Sequence, residues 1–397
     1  MPYKKAFNAQ IKLCTYVKGG IGMTVDKERL IEEFIKLVSI DSPSLLEREM
    51  GDYLKDKLKG LGFVVTEDGA GSKLGGNCGN IYGFLEGKKE LEPLLFCVHM
   101  DTVEPSRGKQ AVVGDDGVIR SKADTVLGAD DLAGVAAILE ALSVIKEKEL
   151  EHRPIEVLFT VAEEIYCKGA KVFDYSNIKS TEAYVLDLTG AVGAAAYQAP
   201  SILSLVIEVN GKASHAGFAP HKGIHAIQAA ADAITKLKLG QIDENTTLNI
   251  GVIQGGLATN IIPELCAVGG EIRSYSHKTA MELSEEVKKQ FERSAEAIGA
   301  TVKFEVITNC QAYETPKDHP VVLRFKEVCD LLNLPFSLQQ TFGGSDNNAM
   351  FEHGITGIVL ACAMNQCHSC EEYTTVDELV RIAEVTKALM VSEVNAG

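Results

Sequence analysis

The chain has 397 residues, more than one hydrophobic core usually serves, so about two domains are expected. Hydrophobic residues make up 46% and charged residues 24%, as in ordinary soluble globular proteins. The net charge is −16 and there is no basic run, which argues against nucleic acid and anionic membranes as partners. No apolar run approaches the roughly 20 residues that span a bilayer.

The first 22 residues lack the continuous apolar region of a secretory signal, and a clear helix pattern begins only after Met23. We expect these residues to lie outside the fold, and we hypothesise that translation naturally starts at Met23. The ten cysteines are then expected to be reduced thiols of a cytoplasmic protein.

Two amphipathic helices are predicted near the start of the fold. Thr24 is the expected N-cap of the first, whose apolar face is formed by Leu30, Ile31, Phe34, Ile35 and Val38. Ser44 and Glu47 have the spacing of a capping box, which predicts a second helix with Leu46, Met50, Leu54 and Leu58 at four-residue spacing.

Short apolar runs then alternate with a helical segment. The runs 94–98, 155–161 and 183–186 are typical of strands, and 133–145 of a helix. Continuous apolar strands between helices indicate an α/β domain, with a mostly parallel sheet covered by helices on both faces.

The pattern changes from about residue 200. Leu203, Leu205, Ile207 and Val209 alternate with more polar positions, as in a half-exposed strand. The order of the following helices and strands predicts a ferredoxin-like βαββαβ domain, after which the α/β pattern resumes. We therefore predict a catalytic domain in two parts, 23–199 and 314–397, with an inserted lid domain at 200–313.

Acidic and histidine residues follow the strand-like runs. His99 and Asp101 come after the first run, Glu163 and Glu164 after the second, and Asp187 after the third. In an open α/β sheet, ligands bind at the carboxyl ends of the strands, so these side chains are candidates for a metal site. The alternative for any single pair is a set of polar strand ends that meet solvent.

Two acidic pairs can each be explained without a metal ion. Asp130 and Asp131 precede an apolar helix, where carboxylates commonly cap the N-terminus, and taken alone this pair favours a cap. Glu163 and Glu164 repel each other where desolvation is costly, unless a cation or a proton is shared; a surface turn is the alternative. With a late histidine, the whole set of nitrogen and oxygen donors suits zinc, cobalt or manganese and indicates a metal-assisted hydrolase.

Nine motifs occur in a fixed order: "HMDTV", "LGADDLAG", "AEEIYCKGA", "VLD", "KASHAG", "GGLATNIIP", "GEIRS", "GGSDNNAM" and "CHSCEEY". In these motifs the chain resembles, from about Val25 to its C-terminus, the dinuclear-zinc metallopeptidases and deacylases. That family includes peptidase T, bacterial glutamate carboxypeptidase, succinyl-diaminopimelate desuccinylase and the aminoacylases.

The resemblance implies a role for each catalytic and metal-binding residue. It makes Asp130 the carboxylate that bridges two divalent ions, most simply zinc, in place of a mere helix cap. It implies Glu163 as the general base and Asp101 as the residue that orients a histidine ligand. The implied ligands besides Asp130 are His99 and Asp187 for one ion, and Glu164 and His368 for the other.

The resemblance also implies substrate contacts. His215 is similar to the histidine that one subunit of a homodimer offers through its lid domain to the substrate of the other subunit. Asn260 and Arg273 match substrate-binding positions, and Gly343 and Gly344 match positions where the backbone approaches the ligand.

The chain departs from the family pattern at Leu132, where lysine is usual, at the turn after Asp187, and at His221 and His225. None of these removes an implied ligand, but they weaken the assignment of one substrate. The motif contexts are most similar to peptidase T, which implies an aminopeptidase on short peptides, tripeptides first. The alternatives are a deacylase or carboxypeptidase on N-acyl amino acids, and a non-catalytic dimeric binding protein of the same fold.

His368 lies inside a C-x-x-C formed by Cys367 and Cys370. Such a pair can bind zinc or cycle as a redox pair. A redox pair is expected at a helix N-terminus in a thioredoxin-like setting, and this one comes late in a large α/β chain. The family pattern matches His368, Ser369 and Glu372, which implies that the cysteines have no role in it.

Overall fold

The computed structural model describes residues 25–392. The hypotheses on residues 1–22, on a start at Met23 and on a cap at Thr24 concern residues outside this range. The described chain forms two compact units. Unit 1 comprises residues 25–197, 315–340 and 345–392, and unit 2 comprises 198–314 and 341–344.

Unit 1 begins with five helices and eight strands. In chain order they are α1 (Lys27–Val38), α2 (Arg48–Leu61), β1 (Val64–Glu67), α3 (Ala70–Leu74), β2 (Ile81–Leu85), β3 (Leu94–His99), β4 (Ala111–Val113), β5 (Val118–Ser121), α4 (Ala129–Glu147), β6 (Ile155–Thr160), α5 (Lys168–Val172), β7 (Glu182–Leu188) and β8 (Ala194–Ala199).

The chain passes into unit 2 within β8. The elements of unit 2 are β9 (Ser201–Asn210), β10 (Ser214–His215), α6 (Ala226–Thr235), β11 (Gly240–Asp243), β12 (Thr246–Gly255), β13 (Ile261–Ile262), β14 (Leu265–Ser274), α7 (His277–Glu296), β15 (Thr301–Cys310) and β16 (Tyr313–Glu314).

The second part of unit 1 completes its sheet and its helical layers. Its elements are α8 (Pro320–Leu331), β17 (Ser337–Gln340), α9 (Asp346–Glu352), β18 (Thr356–Ala361), β19 (Tyr373–Thr375) and α10 (Val376–Val391).

The large sheet of unit 1 has the strand order β1-β2-β6-β3-β7-β18-β8, with β17 also paired to β8. The four central strands, β6, β3, β7 and β18, run parallel, and the flanking strands pair antiparallel. The prediction of a mostly parallel sheet is therefore confirmed at its centre. Strands β19, β5 and β4 form a separate antiparallel sheet.

Helices cover both faces of this sheet, as predicted. On β3, Phe96 and Val98 pack into the core that α1, α2, α4, α8 and α10 share. The alternate residues Leu95 and Cys97 pack on the other side, in a core that includes Met350 of α9. Because successive side chains of a strand point to opposite faces, β3 is apolar from Leu94 to Val98.

Unit 2 contains an antiparallel sheet of order β11-β12-β14-β9-β15. Helices α6 and α7 pack on the face formed by Leu203, Leu205, Ile207 and Val209, while Ser204, Val206 and Glu208 remain at least partly exposed. The order of the long elements is the predicted βαββαβ, with the short strands β10, β11, β13 and β16 in addition.

The capping box predicted for the second helix is wrong, whereas the first helix has a cap among the described residues. Asp26 caps α1, since its side chain accepts from the backbone N–H groups of Glu28 and Arg29. The N-cap residue of α2, Glu47, makes no side-chain cap, because its carboxylate and the hydroxyl of Ser44 bind other partners. The N–H of Arg48, where α2 begins, donates instead to Asn77 Oδ1 at 3.0 Å.

Among residues 25–392, no helix is both long enough and apolar enough to cross a bilayer.

Candidate active site

The carboxyl ends of the central parallel strands bring the predicted residues of unit 1 together. His99 is the last residue of β3, Asp187 lies one residue before the end of β7, and Glu163 and Glu164 follow β6. Parallel strands place these ends at one edge of the sheet, where ligands bind in open α/β folds. Asp130 lies in the first turn of α4, directly after Ala129.

The first cluster consists of His99, Asp130 and Asp187, each of which has a ligand atom within 4.8 Å of the others. His99 Nδ1–H donates to the backbone carbonyl of Asp101 at 2.9 Å, so Nε2 faces Asp130 Oδ1 at 3.1 Å. A nitrogen lone pair and a carboxylate oxygen both accept hydrogen bonds. They can face each other only with a proton or a metal cation between them.

The second cluster consists of Asp130, Glu164 and His368, again with ligand atoms within 4.8 Å of one another. His368 Nε2 lies 3.3 Å from Asp130 Oδ2 and 3.0 Å from Glu164 Oε2. The other oxygen of Glu164, Oε1, is buried without a hydrogen-bond partner. Asp130 therefore belongs to both clusters, with one carboxylate oxygen toward each histidine.

Buried charge makes both clusters favourable for cations. Burial raises the pKa of Glu163, Glu164 and Asp187, and negative neighbours add to the effect. Burial acts on Asp130 in the same direction, but hydrogen bonds from His368 and His99 outweigh it and hold the pKa of this carboxyl well below its usual range.

The pKa of His368 is shifted by the same negative carboxylates. Hydrogen bonds with Asp130 and Glu164 raise the pKa of His368 to about 10. Protons on the histidines therefore supply positive charge that divalent ions can replace.

The ligand atoms of the two clusters suit two metal ions. Both clusters offer one imidazole nitrogen and two carboxylates, the ligands that zinc and similar divalent ions take at catalytic sites. The shared carboxylate and the unpartnered Glu164 Oε1 each leave an oxygen for coordination. The described residues thus offer two ion positions that share Asp130.

Asp101 supports the segment that carries the two glutamates. Its carboxylate accepts from the backbone N–H groups of Glu163 at 2.9 Å and Glu164 at 3.2 Å, and from Ser44 Oγ at 2.6 Å. Asp101 Oδ1 lies 3.6 Å from His99 Nδ1, whereas the backbone carbonyl oxygen of Asp101 lies 2.9 Å from the same nitrogen. The hydrogen bond that fixes the His99 ring is thus made by the backbone carbonyl of Asp101, and the carboxylate of the same residue lies close by.

Two further buried glutamates hold backbone at the site, and sequence reasoning did not assign them. Glu47 Oε1 accepts from the N–H of Ala162 at 3.0 Å, beside the two site glutamates. Glu372 accepts from the N–H groups of Gly128 at 2.7 Å and Asp130 at 3.0 Å. The only sequence signal for Glu372 is its place in the family pattern, and the spacing of Glu47 from Ser44 predicts a helix cap instead.

Glu163 has neighbours of its own. Cys167 Sγ donates to Glu163 Oε1 at 3.0 Å, and Asp346 lies in the same group of possible ligands. All three residues are buried. Asp346 lies in the motif "GGSDNNAM", which by itself assigns no role to this residue.

In unit 2, His215 and Asn260 lie on paired segments. His215 pairs with Ile261, and the N–H of Ala216 donates to the carbonyl of Asn260 at 2.9 Å. The exposed ring of His215 accepts at Nδ1 from the N–H groups of Gly217 and Phe218, both at 3.1 Å. The neutral imidazole therefore carries its proton on Nε2, where it can donate to a ligand.

Arg273 and the two predicted glycines form a second group in unit 2. Arg273 donates to Glu271 Oε1 and to the carbonyl of Phe342, each at 2.6 Å. A Cβ on Gly344 would lie 2.8 Å from Cys310 Sγ, so packing within unit 2 itself requires this glycine. A Cβ on Gly343 would make only an ordinary contact.

The structure does not bring these two groups of unit 2 together. Arg273 pairs with Ile202 at the start of β9, whereas His215 follows the end of β9 at Asn210. The strand from Leu265 to Arg273 spans about 27 Å. His215 and Arg273 of one chain therefore lie at opposite ends of the sheet of unit 2.

At Cys367, the C-x-x-C around His368 lacks the lowered thiol pKa that is typical of a redox pair. Cys367 is half-buried and Cys370 is exposed, and both are free thiols. Burial raises the pKa of the Cys367 thiol, with negative neighbours such as Asp130, whereas reactive redox cysteines have a lowered pKa. Within residues 25–392, neither sulfur belongs to a group of possible metal ligands.

Two family models match the chain. The peptidase dimerisation domain matches residues 197–298, and peptidase family M28 matches residues 80–241. The uncharacterized protein YqjE of Bacillus subtilis (strain 168) is 38% identical over 366 residues, which cover 92% of this chain and 98% of that protein.

Two solved structures are similar over almost the whole chain. A tripeptidase from Staphylococcus aureus subsp. aureus Mu50 is 32% identical with a TM-score of 0.90, and aminopeptidase PepT from Bacillus cereus ATCC 10987 is 37% identical with a TM-score of 0.86. Each alignment covers 93% of this chain and 99% of the other. The predicted resemblance is thereby confirmed, and the chain belongs to the peptidase T-like family of metallopeptidases.

Proposed function

We propose that this protein is an aminopeptidase that removes the first residue of short peptides, tripeptides in particular, with two divalent metal ions, zinc foremost. The observation that carries the proposal is Asp130, whose two carboxylate oxygens face a histidine in each of two ligand clusters. The similarity to a tripeptidase and to aminopeptidase PepT supports the substrate class.

In this proposal, some residues bind the metal ions and others position the backbone around them. His99, Asp130 and Asp187 would hold one ion, and Asp130, Glu164 and His368 the other. The chemistry that such ions supply is polarisation of the scissile carbonyl and acidification of water. Asp101, Glu47 and Glu372 keep the surrounding backbone in place through the hydrogen bonds described above.

Glu163 is the proposed general base. It is buried beside the two clusters, and burial raises the pKa of its carboxyl above that of an exposed glutamate, which makes it a stronger base. It takes a proton from the attacking water and returns it to the leaving amine. Cys167 holds Oε1 through its S–H, which leaves Oε2 for the proton transfer.

His215 is the proposed donor to the oxyanion, from a second copy of the chain. Its Nε2–H is available, and donation to developing negative charge is an effective form of catalysis. An extended tripeptide spans roughly 10 Å, so it cannot contact both His215 and Arg273 of the same unit 2. Both residues can serve one substrate only if His215 comes from a partner chain.

A homodimer through unit 2 follows from this assignment. The match of residues 197–298 to a peptidase dimerisation domain supports it. In the same scheme unit 1 is the catalytic domain, unit 2 is the lid, and Asn260, Arg273, Gly343 and Gly344 bind the substrate. Within residues 25–392 the nine cysteines are thiols and not disulfides, which supports a reducing location such as the cytoplasm.

The experiment uses one tripeptide of three different residues in three forms: unmodified, N-acetylated and C-terminally amidated. We expect the unmodified and amidated forms to lose their first residue, and the acetylated form to remain intact. Released amino acids are measured by chromatography. Cleavage of the acetylated form alone would indicate a deacylase or carboxypeptidase and would refute the proposal, as would release of the last residue first.

A further inference from the structure

A group of buried donors in unit 1 is separate from the two clusters that share Asp130. Glu163, Cys167 and Asp346 each offer a ligand atom, and these atoms lie within 4.8 Å of one another. Cys167 directly precedes α5, Asp346 is the first residue of α9, and these two helices contact each other. The group therefore lies in the interior of unit 1, next to the proposed base.

Two polar atoms here have no hydrogen-bond partner among the described residues. Asp346 is 1% exposed, and its Oδ1 is unpartnered, whereas Oδ2 accepts from Thr160 and lies 3.8 Å from Cys97 Sγ. The Tyr175 hydroxyl is also buried and unpartnered. Burial raises the pKa of Tyr175, and the nearby Asp346, Cys97 and Cys167 raise it further. Buried polar groups normally have partners, so two such atoms in one place indicate a ligand.

The thiol and carboxylate groups of this cluster indicate which kind of metal ion would bind. A thiol between two carboxylates, with a second thiol beside one of them, suits a borderline-soft divalent ion such as zinc or cadmium. Donor atoms of a tetrahedral zinc site lie roughly 3 to 4 Å apart. Three atoms already within 4.8 Å of one another need only small movements to reach that geometry.

We propose that Glu163, Cys167 and Asp346 bind a zinc-class divalent ion at a third site, and that this ion inhibits the enzyme. On binding, the S–H bond of Cys167 breaks, its proton leaves to solvent, and a metal–sulfur bond forms. Glu163 then coordinates the ion through its carboxylate and no longer accepts a proton from water. The inhibitory part rests on the proposed function of Glu163, and the binding part does not.

The test uses cadmium on the full chain, because a cadmium–thiolate bond has an ultraviolet charge-transfer band. The background variant is Cys367→Ser/Cys370→Ser, which removes the thiols beside His368 and is expected to keep near-wild-type turnover. The protein is first loaded with two equivalents of zinc and then titrated with cadmium. We expect one further equivalent to bind with the thiolate band, and tripeptide hydrolysis to fall in parallel.

Cys167→Ser in this background is the decisive variant. Inhibition is expressed relative to the turnover of each variant without cadmium. In Cys167→Ser the band should disappear and the inhibitory cadmium concentration should rise by roughly tenfold or more. Cys266→Ser, which changes a buried thiol of unit 2, should behave like the background. An unchanged band or unchanged inhibition in Cys167→Ser, or the absence of a third equivalent, would overturn the proposal. The band needs no peptide, so it reports on the site even if peptide hydrolysis fails.

Discussion

Replacement of Glu163 by glutamine should lower kcat on a tripeptide by about three orders of magnitude. The amide cannot take a proton from water or return one to the leaving amine. It keeps the size of the side chain, and its carbonyl oxygen can still accept from Cys167 Sγ. Steady-state kinetics with the zinc-loaded variant measures the effect, and we expect KM to change far less than kcat because Glu163 acts on the transition state.

A matched control separates loss of the base from loss of one negative charge. Glu371→Gln removes an exposed carboxylate close to His368 in sequence, and it should leave kcat within a factor of about two, as for most surface substitutions. Metal analysis of Glu163→Gln should still find two ions per chain. Turnover comparable to the wild type in this variant would remove Glu163 from the role of base.

Replacement of Asp130 by asparagine should weaken both metal positions at once. Its two oxygens face His99 and His368, so the substitution removes negative charge from both clusters. We expect metal affinity to fall by at least about 100-fold, and tripeptide hydrolysis to fall with it. Equilibrium dialysis followed by elemental analysis measures the bound metal.

His368→Ala is the informative comparison, because His368 belongs to one cluster only. This variant should retain about one ion, held by His99, Asp130 and Asp187, and lose most turnover. Asp377→Asn, an exposed carboxylate in the first turn of α10, serves as the control and should bind two ions. If Asp130→Asn kept both ions, the shared position of this carboxylate would have no role in binding.

The parts of the fold that depend on local pattern were predictable. The apolar runs at β3, β6 and β7 occur where the sequence indicates strands, because strands buried on both faces need continuous hydrophobic residues. The same pattern placed His99, Glu163, Glu164 and Asp187 after the strands, at one edge of a parallel sheet. Local spacing and the rule for strand ends thus sufficed to bring these four residues together.

The residues that support the site were not predictable in this way. Glu47 holds the backbone of Ala162, and Glu372 holds that of Gly128 and Asp130, through contacts between positions far apart in the chain. Ser44 and Glu47 have the spacing of a capping box, yet tertiary hydrogen bonds to the site take both side chains away from the helix. Local propensity is outweighed there because a buried backbone N–H group needs an acceptor.

Metal titration of the ion-free protein tests the central claim most directly. Tripeptide hydrolysis is measured while zinc is added in known equivalents. Two ions around a shared Asp130 predict that hydrolysis rises to a plateau at two equivalents per chain, with the first residue of the peptide as the product. Full hydrolysis by the ion-free protein, or a plateau at one equivalent, would contradict the account.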